Sequence, residues 1–414
     1  MTFPWKKKST DDTDSKEMAA SGKGAGTFLK KWGIGIFLPI LIIIFLYLLQ
    51  TILVHFPSIG EGYCRTVFVW VSFLPVTVTS LFPVSLSEIV VISGVFCAPL
   101  LLALWVIHLV RAVKNKGGKR FFFRSGRIVA WVLCGLYFIF MLFHGLNYTR
   151  YSLDEKLGFG QKKYTIEEIQ EAYIWVVTEL NCARENCPED ENGVLTYPGG
   201  YEASLSDIKD LYEESAVHFP QIKGNTARPK PVAVSHYWSY TNIVGMYFPF
   251  LAESNINVDV PFPALPSTVC HELSHLHGYA VENDADLAGM LIGLYSSCPQ
   301  VRYGGLCDAL DLVWSDLLTA YNKDTKGFEE FVGQYPICDG YFRDQEAMSK
   351  YWEGINPPKI VEKASEKAND TFLKINQQEE GVNSYAMPTS TVADFYFLYV
   401  RSGQYDSALT EKEG

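Results

Sequence analysis

Two histidines four residues apart, His271 and His275, enclose Glu272 in the run His-Glu-Leu-Ser-His. On a helix this spacing places both imidazoles on one face, about 6 Å apart across a turn, so that both reach a single Zn2+. Glu272 follows the first histidine but is rotated round the helix. It is therefore placed to take a proton from a zinc-bound water instead of ligating the metal. Five such residues recur by chance. What makes this a more complete zinc-hydrolase pattern is the acidic run Glu282-Asn283-Asp284-Ala285-Asp286 just downstream.

Zinc in a hydrolase keeps three protein ligands and one open position. Glu282 lies seven residues beyond His275, about 10 Å along an unbroken helix at 1.5 Å per residue, too far to share the ion. The chain must turn between them, and Gly278 permits a helix stop at positive φ. A second helix starting near Val281 then presents Glu282 as third ligand, with Asp284 as a rival on another face. Asp286, one turn after Glu282, is placed to accept a hydrogen bond from the outer nitrogen of a ligating histidine. The plain alternative is that His271 and His275 are ordinary helix residues beside a solvated acidic face. His277 points away from their stripe and is read as non-ligating; His218 has no motif around it, and His236 is a residue for a cleft.

The chain is 48% hydrophobic and 20% charged, with a net charge of −11. Its apolar residues are unevenly spread. Gly33–Val54 is an uncharged run of 22 residues, long enough for a bilayer. Ile89–Leu109 and Ile128–Leu146 are two more, giving spans at about 33–54, 89–110 and 128–147. Thr66–Ser87 is also uncharged, but Pro75, Pro83 and many β-branched residues argue against a spanning helix. Lysines at 6–8, 30 and 31 precede the first span, and seven Lys and Arg residues between Arg111 and Arg127 separate the second from the third. Basic segments stay cytoplasmic, so three spans fit and a fourth does not. Residues 66–87 are accordingly read as an interfacial or partly buried external loop, residues 1–28 as a disordered cytoplasmic tail, 29–149 as the membrane domain and 150–414 as an extracytoplasmic domain. The first apolar run is too long for a cleaved signal peptide.

Cys182/Cys187 and Cys298/Cys307 are spaced for short disulfide loops, with buried free thiols the competing reading. The acidic outer domain excludes nucleic acid as an expected partner. Within it, Tyr164–Leu180 reads as an amphipathic helix starting at Thr165, and Leu205–His218 as a second. The segments 232–234, 243–250 and 256–260 read as short strands, and the chain after Ser267 as mainly helical, interrupted near Cys298–Leu306 and Pro357-Pro358. A strand before the zinc-binding helix suits pairing with extended peptide. The fold class expected is α+β, mainly helical, with a small sheet.

These residues resemble the DUF3810 family of bacterial membrane proteins. The resemblance rests on Gly145-Leu146-Asn147-Tyr148, Gly245-Met246-Tyr247-Phe248-Pro249-Phe250, His271–His275, Gly278-Tyr279-Ala280, Glu282–Ala285 and Val301-Arg302-Tyr303-Gly304-Gly305. It extends to Leu373-Lys374 and Gly381-Val382-Asn383-Ser384-Tyr385, and so runs from about residue 33 to 400. It implies three N-terminal spans followed by a zincin-like domain, without a substrate. Asp284, where relatives are expected to carry Glu, and the proline of Ala386-Met387-Pro388 depart from the pattern. The Glu-x-x-x-Asp segment is also similar to the gluzincin pattern in membrane peptidases of the CAAX-prenyl-protease kind. That similarity implies Glu282 as zinc ligand and Asp286 as support for a histidine, although in those peptidases the glutamate helix lies much further from HExxH.

The expectation is a membrane-anchored zinc metallopeptidase acting on peptide or protein at the outer face, with Zn2+ on His271, His275 and Glu282 and Glu272 moving the proton. Tyr303, Arg302 and Tyr247 are candidates for the second oxyanion donor, each with a plain rival role as a core aromatic or a surface cation. Two other readings compete: a catalytically silent metal-bound sensing or binding module, and a zinc hydrolase of non-peptide amides.

Overall fold

The computed structural model describes residues 34–359 and 390–405, with Lys363 and Lys367. The expected tail at 1–28, Leu373-Lys374 and Gly381–Tyr385 lie outside the described residues. Three described helices are long and apolar enough to cross a membrane: α1 (Ile34–Leu53), α4 (Leu86–Lys114) and α5 (Gly118–Phe143). The second begins three residues before the expected span, and only 115–117 separate it from the third. The basic segment 111–127 is thus largely the end of one helix and the start of the next, and the third helix stops at Phe143, short of the expected 147.

The chain divides into two compact units. One holds the described residues through Leu49 together with Gly94–Ile139; the other holds Gln50–Ser93 and the described residues from Phe140 onward. Residues 54–85 and 144–149, with the adjoining ends of the three long helices, therefore belong to the second, globular unit.

Residues 66–87, expected to be a loop, are mostly helical. α2 (Pro57–Tyr63) runs through a π-helical turn, Cys64–Phe68, into α3 (Val69–Ser80), with Pro75 inside it. Proline removes one i→i−4 hydrogen bond, but tertiary contacts hold the helix. Asn225 Nδ2 donates to the Val69 carbonyl (2.6 Å) and to Ser72 Oγ (2.9 Å), while Phe68, Ser72, Val76 and Thr79 are buried. The buried Lys230 ammonium donates to the Phe82 carbonyl at 2.5 Å, fixing the exit from α3.

The globular core is a helical stack, to which the shorter α6 (Leu153–Leu157), α8 (Gly200–Ala216) and α9 (Ser235–Ser239) are added. α7 (Ile166–Glu185) opens with a capping box in which Thr165 accepts from the Glu168 N–H and the Glu168 carboxylate accepts from the Thr165 N–H, a motif whose cap contributes about 1 kcal/mol. Ile169, Tyr173, Val176, Val177 and Leu180 recur at helical spacing and bury α7 against α12 (Pro299–Tyr321). α10 (Leu265–Leu276) and α11 (Glu282–Leu294) pack on each other and on α12. Pro266 and Pro299 occupy first-turn positions, where the missing N–H has no helical partner to lose. The expected interruption at 298–306 is confined to the residues before Pro299.

A three-stranded sheet of order β1-β3-β2 lies beside α10. β1 (Lys230–Pro231) runs parallel to β3 (Glu253–Ile256), and β2 (Gly245–Phe248) runs antiparallel to it with Gly245 opposite Ile256. The expected strands at 232–234 and 256–260 are displaced: Ser235–Ser239 is helical, and β3 lies earlier in the chain. β3 reads Glu-Ser-Asn-Ile and is buried throughout, so its polarity hides it from a hydrophobic-alternation reading. Each polar side chain has a job. Glu253 accepts from the Leu86 and Ser87 N–H groups and from Ser87 Oγ, capping α4. Ser254 Oγ donates to the Glu272 carbonyl at 2.9 Å, and Asn255 Oδ1 accepts from Ser85 Oγ.

Candidate metal centre

α10 carries His271, Glu272 and His275, and ends at Leu276 because Gly278 takes φ +88°. α11 starts four residues later with Val281 as its extended N-cap and Glu282 as its first residue. The turn brings the Glu282 carboxylate back over the histidines. Its Oε2 lies 3.3 Å from His271 Nε2 and 3.5 Å from His275 Nε2. One ligand atom from each of the three residues lies within 4.8 Å of those from the others.

The outer ring nitrogens are both engaged. His271 Nδ1 is 2.6 Å from Asp286 Oδ1, and His275 Nδ1 is 2.6 Å from the Tyr279 carbonyl. A carboxylate and a carbonyl can only accept, so both Nδ1 atoms carry the proton, and each Nε2 faces Glu282. This is the tautomer a metal-ligating histidine needs. Burial works against charge on His271, but the Asp286 and Glu282 carboxylates outweigh it and hold its pKa well above the ordinary value. Glu282 likewise overcomes burial to raise that of His275, and burial of Glu282 is overcome by the two imidazoles, which hold its carboxyl well below the usual range.

Glu272 is 5% exposed, and burial raises its pKa. The Tyr247 backbone hydrogen-bonds to this side chain, whereas Oε2 is buried with no partner. Gly245 in β2 makes room for it: a Cβ there would sit 2.6 Å from Glu272 Cγ and Oε1.

The remaining sequence candidates separate clearly. Asp286 is at His271 Nδ1, as described. Asp284, the rival ligand, faces away, and its Oδ1 accepts from the Leu153 N–H at 2.7 Å. Of the three oxyanion candidates, Tyr247 is beside the cluster, its ring 6.2 Å from that of His275, but its hydroxyl points to the Phe143 carbonyl at 3.4 Å. Tyr303 and Arg302 do not join the cluster. Both sit on the core side of α12, where a buried hydroxyl needs a partner: Tyr303 donates to Asp344 at 2.9 Å, and the buried Arg302 guanidinium lies 5.8 Å from the Tyr405 ring. His277 bonds with the Ile222 carbonyl and Thr226, His218 packs on Tyr295, and the exposed His236 pairs with Asp259. All nine cysteines are free thiols, so neither short disulfide loop forms.

Sequence reasoning missed His144. It is buried, its ring is 6.1 Å from that of His275, and its Nε2 lies 3.2 Å from Tyr148 Oη. In the sequence it reads as the end of an apolar run; the polar residues just after it, Asn147 and Tyr148, were the only hint. Equally unforeseen is the ionic group behind the Gly278 turn. Glu61 accepts from Arg65, Arg150 and Lys156, and Arg150 also donates to the Gly278 carbonyl at 3.0 Å. A surface groove of about 750 Å3 runs past Ser267 and Thr268, the turn of α10 preceding His271, and is walled by Asp308, Met348 and Trp352.

Neither the curated proteins nor the solved structures yield a match to this chain. A family model does: that of DUF3810, a protein family of unknown function, aligns with residues 63–390, from the last residue of α2 to the N-cap of the helix Thr391–Phe395. The alignment takes in the histidine pair, the Gly278 turn and Glu282 together, and by that match the chain belongs to the DUF3810 family.

Proposed function

We propose that this protein is a membrane-anchored zinc metallopeptidase that hydrolyses peptide bonds at the outer face of the cytoplasmic membrane. The observation that carries the reading is the donor set: two imidazoles with Nδ1 already bonded, both Nε2 atoms turned to Glu282, and a carboxylate oxygen of Glu272 left unpartnered beside them. His271, His275 and Glu282 would hold the ion. Zinc supplies Lewis acidity there, polarising a carbonyl and acidifying water. Asp286 and the Tyr279 carbonyl orient the two rings. Glu272, with one oxygen free and its pKa raised by burial, is the group to accept a proton and return it to a leaving amine. β2 is an edge strand beside α10 with Met246 exposed, an arrangement that suits pairing with extended substrate. The three apolar helices supply the anchor, and the cytoplasmic bias of the basic residues at 111–127 supports the outward orientation.

A second reading, a metal-bound module without turnover, is favoured by the burial of the cluster: the ligand side chains of His271, His275 and Glu282 are 18%, 7% and 13% exposed. Metal analysis and a peptide-library assay on the full chain in detergent decide between the two. The metallopeptidase reading expects one zinc per chain and cleavage that falls about 10²–10⁴-fold in Glu272→Gln while zinc is retained. Stoichiometric zinc without cleavage in the wild type leaves the silent module. Folded wild type without zinc overturns both.

A further inference from the structure

The later part of the segment joining α1 to α4 presents an apolar face outward. Residues 66–87 carry no charge. The inward side is accounted for by packing: Phe68, just before α3, lies against the Gly278 turn, Asn225 bonds to the α3 backbone, and Ser72, Val76 and Thr79 are buried. The outward face is a continuous stripe at helical spacing: Trp70, Phe73, Leu74, Val78 and Leu81, of which Trp70 is 81%, Leu74 67% and Leu81 75% exposed. A contiguous exposed apolar surface of this kind marks a boundary with another medium.

Chain continuity identifies that medium. α1 ends at Leu53, four residues before α2, and α4 begins at Leu86, six residues after α3 ends. If both long helices cross a bilayer, residues 54–85 leave and re-enter the same face of it, whichever way the protein is oriented. Ile89 and Val90, in the first turn of α4, are exposed apolar side chains as well. Tryptophan within such a stripe suits the headgroup level of a membrane.

We propose that α3 is an interfacial helix whose outward face lies in the lipid leaflet from which α4 departs. Phe68, the residue that leads into α3, then carries the α10–α11 turn. The candidate metal centre, built on the Gly278 turn that packs on Phe68, is held close to that leaflet. Substrates arriving there are polypeptides lying on or anchored in the same leaflet, rather than free peptides in bulk solution. The proposal rests on the membrane-anchored reading and not on the metal.

The test uses the full chain in vesicles of phosphatidylethanolamine and phosphatidylglycerol, with the photoreactive residue p-benzoylphenylalanine in place of Leu74 or, separately, Leu81. Leu102, exposed in the middle of α4, reports the span, and Tyr237, exposed on the globular unit, is the aqueous control. Lipid adducts are expected from 74, 81 and 102 and none from 237, read as a mass increase of one phospholipid. Adducts at 102 with none at 74 and 81, or cross-links from those two positions to a second copy of the chain, overturn the interfacial helix and leave the span intact. No adduct at 102 overturns the membrane-anchored reading and this proposal with it. Zinc content of the same preparations is scored separately.

Discussion

At the scale of single residues, the site depends on which atoms remain available once local hydrogen bonds are made. Asp286 is the clearest case. It does not reach the cluster, but it fixes the His271 ring and leaves Nε2 to face Glu282. Asp286→Asn keeps the shape and removes the charge, and its amide can present an N–H to Nδ1 and favour the wrong tautomer. Zinc affinity is expected to fall about 10–100-fold, measured by competition with a chelator of known affinity. An unchanged affinity would show that Asp286 does not orient a ligand. Glu272 and the two histidines are legible in the sequence because their spacing translates directly into a helix face. Tyr303 takes its rival role as a core aromatic and Arg302 is buried beside it, since a sequence does not reveal which side of a buried helix turns to the core. His144 was passed over because an isolated histidine at the end of an apolar run looks like a boundary residue.

At the scale of elements, the α10–α11 hairpin is the unit that makes the cluster, and Gly278 is its joint. At φ +88° any L side chain is strained, and a Cβ there would lie 3.0 Å from the Phe68 ring. Gly278→Ala is therefore expected to cost about 1–2 kcal/mol from the backbone alone, read as a lower thermal midpoint in detergent, with zinc bound more weakly because Glu282 is displaced. A variant with unchanged midpoint and unchanged zinc would remove the joint from this account. The break at Gly278, the start of α11 and the Thr165 cap are local events, written in residues adjacent to where they act. β3 and α3 are not local. β3 is polar because its side chains cap α4 and bond to α10, and α3 is helical despite Pro75 because Asn225 and Lys230, about 150 residues away, bond to its backbone and exit. Propensity and alternation cannot report partners so distant in sequence.

At the scale of the whole molecule, the buried charges at Glu61 tie α2 to the start of the globular chain. Burial raises the Glu61 pKa, but Arg150, with Arg65 and Lys156, outweighs it and brings the carboxyl from 4.5 down to about 2. A carboxylate with a depressed folded-state pKa contributes stability that is fully present above the unfolded value and lost as pH falls towards the folded one. The window is therefore pH 4.5 to 2, and the contribution is about 3 kcal/mol as an upper figure. Glu61→Gln is expected to melt earlier than wild type at pH 7, with the gap narrowing as the pH is lowered through that window. A gap independent of pH would show that packing, and not charge, is what the variant loses.

Glu253 and Ser254 are neighbours on one short strand. The first holds the opening turn of α4 through three hydrogen bonds; the second holds the main chain of Glu272. Between the start of a 29-residue apolar helix and the backbone of the proposed proton carrier there is thus one peptide unit and no slack. A shift of α4 along its axis must either break charge-assisted bonds in a place water does not reach or be handed on to α10. A displacement of the first turn of α4 therefore loads the same short strand that holds the Glu272 backbone.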